Sequence, residues 1–220
     1  MGDVGHHRYV LLGPPGSGKG TAAQELSELL GVPHVSTGQM FREIKRRGGP
    51  VGNSAGQFID KGQLVPDEIV IEVVRLWLDE HADGRGFIFD GFPRTLPQAQ
   101  AFDRLLAERG TPLAMAILLD VTVDEIIERI LGRLSCETCG ALYHVTRMRP
   151  QREGFCDKCG GKLIRRADDN KATIRERMRI YQGQTLAVID YYEKRDVLKR
   201  INASGLKDKA FGAIVQLVQP

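Results

Sequence analysis

The chain has little of what would send it to a membrane, a secretory route or a polyanionic partner. No apolar run approaches the roughly 20 residues of a membrane span. The start, Met1-Gly2-Asp3-Val4-Gly5-His6-His7, has no cationic segment with an apolar stretch behind it and no hydroxyl at position 6. Neither an export signal nor a myristoylation site is therefore expected, and the expectation is a cytoplasmic protein. Lys and Arg total 31 against 28 Asp and Glu, and the resulting net charge of +3 is too small to announce a nucleic-acid or membrane partner. Internal repeats and low-complexity tracts are absent, as is a convincing Ser-His-Asp arrangement. What is present is an ordinary globular composition over 220 residues, 42% hydrophobic and 27% charged, enough for one domain with a sizeable insertion or for two small domains. The one oddity is that all four cysteines fall between 136 and 159.

Hydrophobic period reads as alternating strands and helices. Arg8 to Leu12 is a short apolar strand that stops at a glycine-rich turn and passes into a helix from Thr21 to Leu30, ended by Gly31. Val32 to Val35 fits a second strand, and Ser36-x-x-Gln39 has the form of a capping box opening the next helix. Pro66-Asp67-Glu68 begins a helix with Ile69, Val70, Val73, Val74 and Trp77 on one face, its acids near the positive end of the dipole. Further strands are expected at Gly86–Asp90 and Leu113–Asp120, the second followed by a Thr122-x-x-Glu125 capping box and an apolar helical stripe. A long charged helix from Asp168 to Lys194, a strand at Lys199–Ala203 and a helix to Gln216 complete the pattern. Strands apolar on every side suit a sheet covered on both faces. The expected fold is therefore α/β, a doubly wound parallel sheet of five strands, with a small inserted domain where the alternation lapses at 134–165.

Gly13-Pro-Pro-Gly16-Ser17-Gly18-Lys19-Gly20-Thr21 stands where a strand hands over to a helix. That context turns a glycine-rich string into a phosphate site, because backbone N–H groups can converge on one concavity at a helix N-terminus while Lys19 adds a full charge. The hydroxyl of Thr21 arrives one residue later than in the general pattern, since Gly20 follows the lysine. Phe87-Ile-Phe-Asp90 is an apolar strand ending in a carboxylate at the crevice end of such a sheet. Asp90 is a candidate to hold Mg²⁺ through water; a turn-starting aspartate is the plain alternative.

Cys136-x-x-Cys139 and Cys156-x-x-Cys159 have the spacing of a four-thiolate Zn²⁺ site, each pair followed by a glycine. The segment has too few large apolar groups to build a core unaided, so the metal is read as structural. Two disulfides are the alternative that a secreted chain would favour.

Gly13–Thr21, Ser36-Thr37-Gly38, Asp90-Gly91-Phe92-Pro93-Arg94-Thr95 and Arg166-x-Asp168-Asp169 together resemble adenylate kinases, of the long bacterial type with a zinc-binding lid. The resemblance runs from about residue 8 to about 215. It implies reversible, Mg²⁺-dependent transfer of the terminal phosphoryl group of ATP to AMP, giving two ADP, by a monomer. It implies a core of residues 1–35, 66–133 and 166–220, an AMP-binding segment 36–65, and a lid 134–165 that closes over ATP. It assigns ATP to Gly16, Ser17, Gly18, Lys19, Gly20, Thr21, Arg129 and Arg133, with Leu142 and Tyr143 near the adenine. It assigns AMP to Thr37, Arg42, the backbone around Gln63, Leu64 and Val65, and the run Gly91, Phe92, Pro93 and Arg94, with Gln98 reading the base. Arg166 and Arg177 would bridge the phosphates, so that the catalytic set is Lys19, Arg94, Arg133, Arg166 and Arg177. Gln39 stands where the family has an acid. Arg129 and Arg133, four apart, are expected to share a helix face, as are Arg166 and Arg177 if their helix begins early enough. Two rivals stay open at this point: a zinc-ribbon nucleic-acid binder with an ATPase core, though its ribbon lacks interleaved aromatics, and a pyrimidine-monophosphate kinase.

Overall fold

Strand residues alternate between two apolar clusters, and that alternation builds the molecule. In the computed structural model, which describes residues 7–47, 57–61, 63–81, 85–205 and 207–219, β1 is Arg8–Leu12, β2 His34–Ser36, β3 Phe87–Asp90, β4 Met115–Asp120 and β8 Leu198–Asn202. These five form one parallel sheet in the order β2-β3-β1-β4-β8. Val10, Leu12, Phe87, Phe89, Ala116 and Leu118 enter one cluster, while Tyr9, Leu11, Ile88, Ile117 and Leu119 enter the other, as a period of two requires. Helices α3 (Asp67–Glu80), α4 (Leu96–Glu108) and α7 (Leu186–Lys194) cover the first face. Helices α1 (Lys19–Leu30) and α8 (Lys207–Val218) cover the second. The expectations placed on residues 1–6, and on 48–56 and 62 within the 36–65 segment, lie outside the described residues.

Several boundaries move for identifiable reasons. Helix α1 starts at Lys19, ahead of Thr21, because Gly18 at φ 98° turns the chain directly into it. Strand β2 begins at His34 instead of Val32: Pro33 has no N–H to give, and only its carbonyl joins β3, accepting from Ile88 at 2.9 Å. Strands β4 and β8 each shift by one or two residues from the expected limits. Helix α2 (Thr37–Arg47) does open after Ser36, whose hydroxyl accepts the Gln39 N–H at 3.4 Å. The second expected capping box fails. Thr122 precedes α5 (Val123–Leu131), but its hydroxyl donates to Glu125 at 3.3 Å and caps no backbone group. Glu125 is occupied elsewhere, accepting the Gly205 N–H at 2.8 Å.

The expected helix from Asp168 to Lys194 is three pieces. Asn170 caps α6 (Lys171–Ile180) by accepting the Thr173 N–H at 3.0 Å, so the helix cannot reach back to Asp168. A π-helical turn, Tyr181–Thr185, then separates α6 from α7. A second, antiparallel sheet is formed by β5 (Arg133–Cys136), β6 (Leu142–His144) and β7 (Leu163–Ile164), in the order β6-β5-β7. Helix α5 passes into it at Gly132, where an added Cβ would lie 2.1 Å from His144 Nε2.

Candidate active site

The carboxyl ends of β1, β2 and β3 open onto a cavity of about 1060 Å³, the place where ligands sit in a parallel sheet of this kind. Gly16, Ser17, Gly18, Lys19, Gly20 and Thr21 all line it. Gly16 adopts φ +80° with Ile130 so close that a Cβ would stand 2.8 Å from its Cγ1, so the loop hugs α5 and only glycine fits. Lys19 Nζ donates to the carbonyls of Gly13 and Pro14, both at 2.8 Å, and to Ser17 Oγ at 3.3 Å. Burial pulls its pKa down to about 8, with Asp90 working in the opposite direction. Asp90 ends β3 level with Leu11 and Ser36. Burial works against its charge, yet the His34 ring, Lys19 and Arg94 outweigh that and hold it below the usual carboxylate range.

The arginines arrive from separate elements. Arg129 lies on α5 and Arg133 opens β5, so they do not share a helix face; Gly132 ends the helix between them. Arg166 precedes α6 and Arg177 lies within it, so that pair does not share a helix either. All four nevertheless line the large cavity, together with Arg42 and Arg94. Arg129 donates to the carbonyls of Ser17 at 3.3 Å and Ala203 at 2.8 Å, tying the phosphate loop to the chain after β8. Arg133 forks onto Asp169, with Nε at 2.8 Å from Oδ2, and Arg177 pairs with Asp168. Arg166 Nε donates to Ser135 Oγ of β5 at 3.2 Å, and Arg94 Nε to the Gly91 carbonyl at 2.6 Å.

Six cations, Lys19 and the arginines at 42, 94, 133, 166 and 177, thus face three carboxylates, Asp90, Asp168 and Asp169. Burial, then repulsion from Arg133 and Arg42, brings Arg166 down to about 9; burial and Arg177 bring Arg94 to about 10. A buried excess of positive charge that depresses its own pKa values is a site built for several negative charges at once. By contrast Arg179 is exposed and paired with Glu176 at 2.8 Å, a solvated helix face.

A smaller cavity adjoins, lined by Thr37, Arg42, Gln63, Leu64, Val65, Gly91, Arg94, Gln98 and Arg177 among others. Thr37 Oγ1 donates to the Gly91 carbonyl at 3.0 Å. Pro93 borders the large cavity, and the Phe92–Pro93 bond is cis. Phe92 lines neither cavity: its side chain is 1% exposed in the core, against Phe89 and Phe102. The π turn is tied to this region because Thr185 Oγ1 donates to the Arg94 carbonyl at 2.9 Å.

In the small sheet the four cysteines are free thiols whose sulfurs all lie within 4.8 Å of one another. Cys136 and Cys159 sulfurs are 3.4 Å apart and those of Cys139 and Cys156 3.6 Å, close to the roughly 3.8 Å edge of a tetrahedron with metal–sulfur bonds of about 2.3 Å. Two disulfides do not describe this arrangement. Burial raises the Cys156 thiol, but the Tyr143 hydroxyl and the N–H groups of Cys159 and Lys158 outweigh it and bring it to about 6, whereas burial and the neighbouring sulfurs push Cys139 up to about 12, so without a cation the four cannot all be thiolates. Leu142 and Tyr143 line the large cavity, yet the Tyr143 hydroxyl turns inward and accepts the Asp157 N–H at 2.8 Å.

A family model described as adenylate kinase matches residues 11–197. The chain belongs to the adenylate kinase family. It is 43% identical over 212 residues to an adenylate kinase of Thermodesulfovibrio yellowstonii, covering 96% of this chain and 99% of that one. It is 46% identical to one of Clostridium tetani, over 92% and 94% of the two chains, and 47% identical to one of Moorella thermoacetica, over 90% and 91%. Adenylate kinases pass the terminal phosphoryl group of a magnesium nucleotide, ATP, to AMP, closing a lid as they do so, and this is the chain's activity. Among the described residues no helix is long and apolar enough to cross a membrane.

Four residues of this site take roles that their local spacing does not show. Asp168 and Asp169 were legible only as part of a motif; folding makes them the counter-charges of Arg177 and Arg133. Asp67 reads as a helix-opening acid, yet it accepts from both Thr95 and Gln98. Gln39 reads as the last residue of a capping box, yet its amide rests on the first Cys-x-x-Cys knuckle, where a Cβ on Gly140 would be 2.7 Å from Nε2.

Proposed function

We propose that MgATP occupies the large cavity with its phosphates in the Gly16–Thr21 loop, and that AMP enters the smaller one with its phosphate between Arg42, Arg94 and Arg177. Lys19, Arg94, Arg133, Arg166 and Arg177 then surround the transferring group, and Asp90 meets the nucleotide's Mg²⁺ through water. Direct transfer between two bound nucleotides needs no covalent group from the protein; it needs the reactants in line and charge already in place. Magnesium, when bound with ATP, would offset the negative charge of the phosphates and so lessen their repulsion of the incoming nucleophile. An arginine so placed is worth roughly 4 to 7 kcal/mol of barrier. The observation that carries this reading is the excess of buried cations at the junction of the two cavities.

The reading divides the chain into a core of residues 1–35, 66–133 and 166–220, an AMP segment 36–65 and a lid 134–165. The four cysteines would hold one structural Zn²⁺ in that lid, since four thiolates leave no position for a catalytic water. The protein would work as a monomer in the cytoplasm, a compartment that keeps such thiols reduced and free to bind a metal. No polyanion partner is invoked, because the cations of the site face inward to a cavity of nucleotide size. A panel of monophosphate acceptors with ATP as donor tests the proposal. Turnover with AMP far above that with UMP or CMP is expected, and equal or better turnover with a pyrimidine would sink it.

A further inference from the structure

We infer that Asp67 sets the base specificity of the monophosphate site by fixing which way the Gln98 amide faces. Gln98 is 2% exposed and lines the smaller cavity. Its Nε2 donates to Asp67 Oδ1 at 2.7 Å, and its Oε1 accepts the backbone N–H of Arg94 at 2.8 Å. A carboxylate only accepts and a backbone N–H only donates. Turning the amide over would set Oε1 against the carboxylate and Nε2 against the N–H, replacing two hydrogen bonds by two repulsive contacts in a buried place. Asp67 is itself pinned, since its Oδ2 accepts from Thr95 Oγ1 at 2.8 Å. Thr95 caps the helix that carries Gln98, and Asp67 is the first residue of α3, where the helix dipole favours a negative group.

After these two bonds the Gln98 amide keeps one N–H and one carbonyl lone pair. With the amide held this way round, that remaining pair suits adenine, whose ring N1 accepts and whose 6-amino group donates. A 6-oxopurine reverses both, because N1 carries a proton and O6 accepts, and it would need the amide turned over. Discrimination between the two purines is then carried by a residue that does not touch the base. The inference rests on the reading of Gln98 as the adenine contact.

Inosine monophosphate is the probe, since it keeps the phosphate, ribose and ring shape of AMP and differs at N1 and position 6. In Asp67→Asn the side chain keeps its shape but offers either a donor or an acceptor, so the turned setting of Gln98 loses one of its two repulsive contacts and only the Arg94 N–H is left to oppose it. The ratio of kcat/KM for AMP over inosine monophosphate is expected to fall about tenfold, inside the factor of about 5 to 150 that one two-point base contact supplies. The change should come through the KM of the monophosphates, with the KM of MgATP unmoved; a loss of general stability would not shift the ratio. Gln98→Leu, measured alongside, should collapse the ratio. If Gln98→Leu collapses it and Asp67→Asn leaves it at the wild-type value, the role given to Asp67 is wrong while Gln98 remains the base contact. If Gln98→Leu leaves the ratio unchanged, the base contact and the inference fall together. Asp67→Ser, equally able to donate or accept, replaces Asp67→Asn should that variant fail to melt cooperatively.

Discussion

The two sheets of this molecule are held together by different physics. The five-stranded sheet is buried between two large apolar clusters, with Phe89, Leu118 and Ile117 at or below 1% exposure. The three-stranded sheet has a cluster of only Cys136, Ala141, Tyr143, Cys156 and Leu163, with Leu134 beside it, and two of those are metal-spaced thiols. Val145, Phe155 and Ile164, three of its other sizeable apolar residues, stand 38% to 39% exposed. One region is stable because it removes hydrocarbon from water on two faces. The other has too little hydrocarbon to do so, and on the proposed reading a metal held by its four sulfurs makes up the difference. The difference teaches that a small unit with so thin a core needs a second source of stability, which the proposed metal cross-link would supply.

The sharpest way to break this comparison is to remove the cross-link. Zinc binding supplies on the order of 10 kcal/mol or more to folds of this size. Cys156→Ser or chelation should therefore melt the small sheet ahead of the rest, giving two calorimetric transitions in place of one and sparing much of the activity at low temperature. Purified protein without stoichiometric metal would refute the cross-link. Phe89→Ala should do the opposite, lowering the main transition by about 3 to 5 kcal/mol while bound metal stays stoichiometric. Both effects are read by calorimetry and metal analysis on the same samples.

Arg166 sits where the two regions meet, donating to Ser135 of the small sheet. Arg166→Ala is expected to cut kcat by roughly 10³ or more with a melting temperature within a few degrees of the parent. A fall of less than tenfold would remove it from the reacting centre. Smaller still is the effect of pH on the empty site. Lys19 is held down at about 8, so its proton is lost as pH rises through that value, and the charge that meets the phosphates goes with it. The kcat/KM for MgATP should bend downward above about pH 8, approaching tenfold per pH unit. A flat profile from pH 7 to 10 would show that this lysine does not serve the free enzyme as a cation.

The smallest expected effect lies at the outer contact between the regions, where Lys158 of the second cysteine knuckle pairs with Glu28 of α1 at 2.5 Å. Both side chains are at least half exposed, so the pair is worth about 1 kcal/mol at most and is screened by salt. Glu28→Gln should shift the distance distribution between labels on α1 and the knuckle by no more than a few fold in population, and 0.5 M salt should mimic it. A larger shift would mean that this contact governs closure.

Much of the fold was legible because its signals are local. Apolar strands such as Phe87–Asp90, the glycines around Lys19 and the caps of individual helices need only their neighbours to be understood. The errors came where a distant partner overrode a local rule. Thr122 and Glu125 have capping-box spacing, but Gly205, eighty residues on, claims the carboxylate. Arg129 and Arg133 have helical spacing, but the His144 ring beneath Gly132 marks the place where helix gives way to strand. Phe92 belongs to a phosphate-binding string by position, and core packing takes its side chain the other way.

The sequence by itself determined the class of the protein: a parallel sheet, a phosphate loop, a thiolate cluster and a set of arginines, each written in residue type and short spacing. Only the tertiary structure decided how those arginines are used. It brought Asp168 and Asp169 under two of them, left the remainder crowded and under-neutralised, and stood Asp67 against Gln98 across 31 positions of chain. The reason is physical. Spacing along a chain sets which groups share a turn, whereas charge balance and amide orientation depend on which groups share a buried volume, and that is settled when the helices close on the sheet.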